Sequence, residues 1–187
     1  MANNKRVCPV EGAGGLDNRF RRLFQNPHKI LERHIQKGMT IVDLGCGPGF
    51  FSIVASELVG AKGKVIAVDL QEGMLSKVSN KIKGTKIEKR IKLHKCEERK
   101  IGVSDKVDFL LAFYMVHEVP NQESLFKEIK SILKPDGRAL IVEPKFHVSK
   151  KAFEETEELV EKLGFEVIER PKMFISRAIV LRNANSK

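Results

Sequence analysis

A chain of 187 residues without an apolar run of the roughly 18 residues that a membrane span requires, and without a signal-type apolar segment in residues 1–8, is expected to be one cytoplasmic domain. Thirty-four Lys plus Arg against 24 Asp plus Glu leave a net charge of +10; that invites nucleic acid, but the excess is lysine spread through 77–95 and 127–134, on faces that helical spacing leaves in solvent. The three cysteines, Cys8, Cys46 and Cys96, contain no C-x-x-C pair and are odd in number, so they exclude a disulfide framework.

Residues 1–15 lack periodicity and carry Gly12, Gly14 and Gly15, the composition of an arm. Leu16, Phe20, Leu23 and Phe24 then recur at helical spacing with Arg19, Arg21 and Arg22 between them; Asn26-Pro27 closes that element and opens a second helix over 27–36, with Ile30, Leu31 and Ile35 inward. An apolar β-branched run, Thr40–Leu44, breaks at Gly45-Cys46-Gly47-Pro48-Gly49 and resumes at helical spacing over 50–59, which reads as strand, tight turn, helix. Glycines there let the backbone adopt unusual torsions and let a ligand lie against the main chain at the helix start. Dinucleotides use G-x-G-x-x-G and S-adenosylmethionine the tighter G-x-G-x-G. Phe50 stands where a pyrophosphate loop needs its third glycine, and Pro48 removes a donor N–H, so the second spacing fits.

Lys64–Asp69 predicts a buried second strand ending in an acid, where a carboxylate can accept both hydroxyls of a ribose or cap the next helix. Met74, Leu75, Val78 and Ile82 form an amphipathic face beyond it. Ile91, Lys92, Leu93 and His94 form a short third strand, and residues 107–113 a fourth that runs into a loop with Tyr114, His117 and Glu118. Strand tips are where parallel sheets place chemistry, and His117 could serve as a base or as a loop histidine bonded to backbone. Asn121 caps a helix over 122–133, Pro135-Asp136-Gly137 predicts a turn, and a fifth strand over 139–143 delivers Glu143 and His147 to the opposite wall. Ser149 opens a helix over 150–163 stopped by Gly164; strands over 165–169 and 174–181, joined at 170–172, close the chain as a hairpin.

Val42-Asp43-Leu44-Gly45-Cys46-Gly47-Pro48-Gly49 resembles the first motif of class I S-adenosylmethionine-dependent methyltransferases, and Asp69-Leu70-Gln71-Glu72-Gly73-Met74-Leu75 is similar to the second, so the resemblance covers about residues 27–182, in the small-molecule, quinone-biosynthesis-like (type 11) branch. It implies a seven-stranded, doubly wound, Rossmann-like α/β sheet with an antiparallel last strand and helices on both faces. It implies S-adenosylmethionine, leaving S-adenosylhomocysteine, against Asp43, Gly45, Cys46, Gly47, Gly49, Asp69, Leu70, Met74, Ala112 and Phe113; the family's adenine acid falls on Cys96, a departure that Glu97 or a main-chain group would make good. Tyr114, His117 and Glu143 are the catalytic candidates, no metal is expected, and residues 1–26 form an arm and lid helix on a domain of 27–187. The acceptor implied is a small molecule, with Arg19, Arg22, Tyr114, His117, Glu143 and His147 as the candidates to hold it; it is anionic if the arm arginines meet it, or thiophilic if the cysteines do. The alternatives are an RNA or protein methyltransferase, against which stands the lack of an N-P-P-Y-like motif after the fourth strand, and a regulatory protein that binds the cofactor without turnover.

Overall fold

The structure, a computed structural model, describes residues 25–184. The arm, with Cys8, Arg19, Arg21 and Arg22, therefore lies outside the described residues. A short helix α1 (Pro27–Leu31) leads to β1 (Thr40–Leu44), α2 (Phe50–Leu58), β2 (Lys64–Asp69), α3 (Glu72–Ile82), β3 (Ile91–Lys95), β4 (Val107–Phe113), α4 (Gln122–Ile132), β5 (Leu133–Pro144), α5 (Lys150–Lys162), β6 (Phe165–Glu169) and β7 (Ser176–Asn183). The strands form one sheet in the order β3-β2-β1-β4-β5-β7-β6. β3 through β5 are mutually parallel, and β7 runs antiparallel between β5 and β6. The expected seven-stranded sheet with its reversed last strand is borne out.

Central strands apolar on both faces need cover on both sides. One face packs Val42, Leu44, Ile66, Leu110 and Ile141 against Phe126, Ile129, Phe153 and Val160 of α4 and α5. The other packs Ile41, Val65, Phe109 and Leu111 against Leu31, Phe51, Ala55, Leu75 and Val78 of α1, α2 and α3. Register places Leu44 between Val68 and Ala112, so the carboxyl ends of β2, β1 and β4 finish level. This is the edge on which the loops after the strands converge. Ser149 caps α5 by accepting from Ala152 N at 3.1 Å. Ser149→Ala should lower stability by about 1 kcal/mol, the usual worth of such a cap, read as a shift of the urea midpoint.

Three elements depart from the sequence pattern. The helix expected over 27–36 ends at Leu31: the His34 ring lies flat on Phe109 at 5.4 Å, and that packing takes the chain into turns while Leu31 and Ile35 stay buried. The turn expected at 135–137 is a bulge inside a longer strand, since from Val107 to Phe109 β4 advances two residues while β5 goes from Leu133 to Arg138. A Cβ on Gly137 would sit 2.9 Å from both Lys134 N and Val107 O, which fixes glycine there. The last strand begins at Ser176 rather than 174, leaving Phe174 89% exposed.

Candidate active site

The 45–49 loop turns through three left-handed glycines, Gly45 (φ 71), Gly47 (φ 52) and Gly49 (φ 87), which glycine adopts without the Cβ penalty. Gly45 N and Cys46 N both donate to Val68 O at 2.9 Å, pinning the loop to the tip of β2, and Lys81 Nζ holds Pro48 O at 2.7 Å from α3. A side chain at Gly45 would meet Met115 Cβ and Cγ at 3.0 Å, so the loop and the segment after β4 close on each other only because this residue has no Cβ. Asp69 ends β2 at 7% exposure. Its Oδ2 accepts from Gly47 N at 2.8 Å and its Oδ1 from Gln71 N at 2.9 Å. Burial pushes the Asp69 carboxyl up, and the N–H groups of Gln71, Gly47 and Leu70 pull it back.

Across the same edge, Glu143 at the end of β5 is buried to 2% and accepts from Val116 N at 2.9 Å through Oε1, while Oε2 engages His117 Nδ1. That contact raises the His117 pKa, against burial, which lowers it. With Nδ1 committed to a carboxylate, Nε2 is the ring nitrogen left for chemistry. Tyr114 sits in a left-handed conformation, φ 62, the one such non-glycine among the described residues. Its hydroxyl shares a 2.5 Å hydrogen bond with Ser176 Oγ and accepts from Gln25 Nε2 at 2.6 Å. The Tyr114 ring packs against Phe113 at 4.5 Å and Phe146 at 6.3 Å, and Phe146 in turn against His147 at 4.8 Å. An aromatic wall thus runs into the histidine pair, His117 and His147 standing 5.6 Å apart.

The glycine loop, Asp69, Tyr114, His117, Phe146 and His147 line one cavity of about 650 Å³, within the range of small-ligand sites. Residues 35–178 match a family described as "Methyltransferase domain". The chain belongs to that methyltransferase-domain family. Among curated relatives it is similar to the demethylmenaquinone methyltransferase of Lactobacillus johnsonii, 31% identical over 130 residues covering 69% of this chain and 51% of that protein. The ubiquinone/menaquinone biosynthesis C-methyltransferase UbiE of Haemophilus ducreyi is 26% identical over 166 residues, 85% of this chain and 61% of that protein. The chain spans about half the length of the first of these. Among solved structures, a SAM dependent methyltransferase from Aquifex aeolicus superposes with a TM-score of 0.82 at 28% identity, covering 94% of this chain and 98% of that one. A putative S-adenosyl-L-methionine-dependent methyltransferase from Methanococcus maripaludis gives 0.79 at 19% identity over 100% of this chain and 99% of that one, a likeness of fold.

The methyltransferase domain brings most of the sequence-derived positions to the cavity wall: Gly45, Cys46, Gly47, Asp69, Leu70, Met74, Cys96, Glu97, Phe113, Tyr114, His117 and His147. Asp43, Gly49, Ala112 and Glu143 stand behind it. Asp43 accepts from Ser52 Oγ at 2.5 Å, Gly49 begins α2 against Val78, and Ala112 is wholly buried in β4. Residues the sequence did not single out, among them Phe51, Gln71, Glu128 and Phe146, also line it. Gln71 lay within the second-motif stretch without a role of its own, and Phe146 carried a signal as an aromatic between Lys145 and His147 with no helical or strand pattern to bury it. Gln25, assigned to the arm, is buried and tied to Tyr114.

S-adenosylmethionine, which such a domain implies, suits these residues. A carboxylate offers about four acceptor positions, Asp69 spends two on Gly47 and Gln71, and the remainder can take a diol. Burial raises the Cys46 thiol well above its usual range and Cys96 to about 11, so both are protonated at neutral pH and are poor nucleophiles or thiophile ligands. Cys46→Ala and Cys96→Ser should each retain methyl transfer within about threefold, the scale of a small packing change, and a loss of more than tenfold in a steady-state assay would restore a thiol to the chemistry.

Proposed function

We propose that this chain moves the methyl group of S-adenosylmethionine to a small-molecule acceptor, with His117, oriented by Glu143, taking the acceptor's proton. The observation that carries this reading is the bond from Gly47 N to Asp69, which joins the glycine loop to the tip of β2 in the cavity that His117 also lines, with Glu143 behind it on Nδ1. The cofactor supplies a methyl already activated on a sulfonium. The protein's part is alignment, exclusion of water and proton acceptance. The main chain of the 45–49 loop would meet the cofactor, Asp69 its ribose hydroxyls, and Leu70, Met74, Cys96 and Glu97 its adenine, with Phe113 forming the floor and Ala112 backing it.

Tyr114, with its hydroxyl committed to Ser176 and Gln25, positions the aromatic wall and does not exchange protons. A wall of Phe113, Tyr114 and Phe146 ending at His117 and His147 suits a planar acceptor bearing an ionisable hydroxyl or carbon acid. The relatives named for demethylmenaquinone make a quinol ring the first acceptor to try. An anionic acceptor has less support, because the described wall carries Asp69, Glu97, Glu98, Glu118 and Glu128 against Arg99 and Lys100.

Incubation with methyl-labelled S-adenosylmethionine and a panel of quinols, phenols, thiols and amines, read by product mass, tests the proposal; cofactor binding without turnover on any class would favour the regulatory reading. A chain beginning at residue 25 adds an arm to the assay. If residues 1–24 serve the acceptor side, cofactor affinity is kept while transfer falls.

A further inference from the structure

The carboxylates around the cavity are not equivalent. Asp69 is met by Gly47 N and Gln71 N, Glu143 by Val116 N and His117, and Glu128 by Ile101 N and Gly102 N at 2.8 Å each. The carboxylates of Glu97 and Glu98 also lack a described partner but are exposed to solvent; Glu118, which ends the 3-10 turn Val116–Glu118 and lines the cavity, is only partly exposed, yet no described residue donates a hydrogen bond or forms an ion pair with its carboxylate. Partial burial strips such a carboxylate of some of its hydration, and no protein donor replaces it. Met115, three residues before it, packs against Gly45, so the turn is held over the glycine loop.

Building on the cofactor reading above, we propose that Glu118 is the group that recognises the positive charge at the sulfur of S-adenosylmethionine, so that the site holds the cationic cofactor more tightly than the neutral S-adenosylhomocysteine left after transfer. A neutral donor would be served as well by any acceptor in the wall. A fixed cation is the partner for which an unpaired carboxylate in a partly desolvated cavity gains most. The groups acting on Glu118 are His117, Glu143 and Asp69; burial first, then the Glu143 and Asp69 carboxylates, raise its pKa to about 7 against the His117 charge, which lowers it. A bound sulfonium, as a nearby positive charge, would favour the carboxylate form and pull that raised pKa back down. After transfer the charge is gone, and the carboxylate loses the partner that held the cofactor.

The test is calorimetric binding of both ligands to the full chain and to Glu118→Gln and Glu118→Asp. At pH 8, Glu118→Gln should weaken S-adenosylmethionine about tenfold, the scale of one partly screened charge pair, and leave S-adenosylhomocysteine within about twofold; Glu118→Asp should recover most of the difference. Between pH 6 and 7.5 the preference for the cation should rise in the wild type and flatten in Glu118→Gln, with a residual slope from His117 losing its own proton. Equal weakening of both ligands would overturn the proposal and assign Glu118 to the shared ammonium or to a structural role, and affinities unchanged for both would overturn it outright. Binding of neither ligand by the wild type would instead overturn the cofactor reading.

Discussion

His117→Asn should lower kcat by about 10² to 10⁴, the range attributed to a positioned general base, while S-adenosylmethionine affinity changes little. The imidazole must be neutral to accept a proton. Contact with Glu143 raises its pKa above the ordinary 6.5, so kcat should rise with pH through a midpoint above that value and level off beyond it. Glu143→Gln replaces the charged acceptor at Nδ1 with an amide. The midpoint should then move down, and the rate at its plateau should fall, because the ring loses both its orientation and its partner for the charged state.

The sign for stability is opposite to that for activity. A histidine whose folded pKa is raised contributes stability that is full at low pH and is lost as pH rises through that raised pKa. Glu143→Gln should therefore destabilise the protein more at pH 5.5 than at pH 8. Measuring kcat and unfolding free energy at both pH values separates a catalytic dyad from a merely structural one. A structural pair would show the stability trend, with kcat unchanged within about threefold, the scatter expected of a substitution outside the chemistry.

The residues that the sequence made legible are those whose function is local. Lys64–Asp69 was delimited to the residue because an uninterrupted apolar run and a terminal acid are both properties of one segment. Asn121 and Ser149 were recognisable as caps for the same reason, and both accept the expected N–H three residues on. The pairing of His117 with Glu143 was not legible, although each was singled out, because it spans 26 residues and depends on β4 and β5 being neighbours with Phe113 opposite Val142. Pattern shows that a strand ends; it does not show which other strand ends beside it. The bulge at Gly137 escaped because Pro-Asp-Gly marks a reversal equally well inside a strand and between elements. His34 escaped because helical spacing records which residues are buried, and stacking on Phe109 buries it without a helix.

Loss of the glycine loop's geometry should be the most damaging change to cofactor binding. Gly47 lies at φ 52 and gives its N–H to Asp69 at 2.8 Å. Valine is β-branched and enters the left-handed region at a cost of about 1 to 2 kcal/mol or more, so Gly47→Val pushes the chain out of that conformation, and the loop then loses its tie to β2. Binding should be abolished, a loss of about 1000-fold or more, as expected when loop strain and a charge-assisted hydrogen bond are lost together. Asp69→Ala leaves the glycines in place and removes only the acceptor. The loss should be smaller, about 1.5 to 3 kcal/mol, the worth of hydrogen bonds to a charged group. The ordering matters more than either value. If the loop and the acid hold one ligand, the double variant should lose little beyond Gly47→Val alone, since the two share the bond between Gly47 N and Asp69. Additive losses, or calorimetric affinities unchanged in folded single variants, would place the cofactor elsewhere in the cavity.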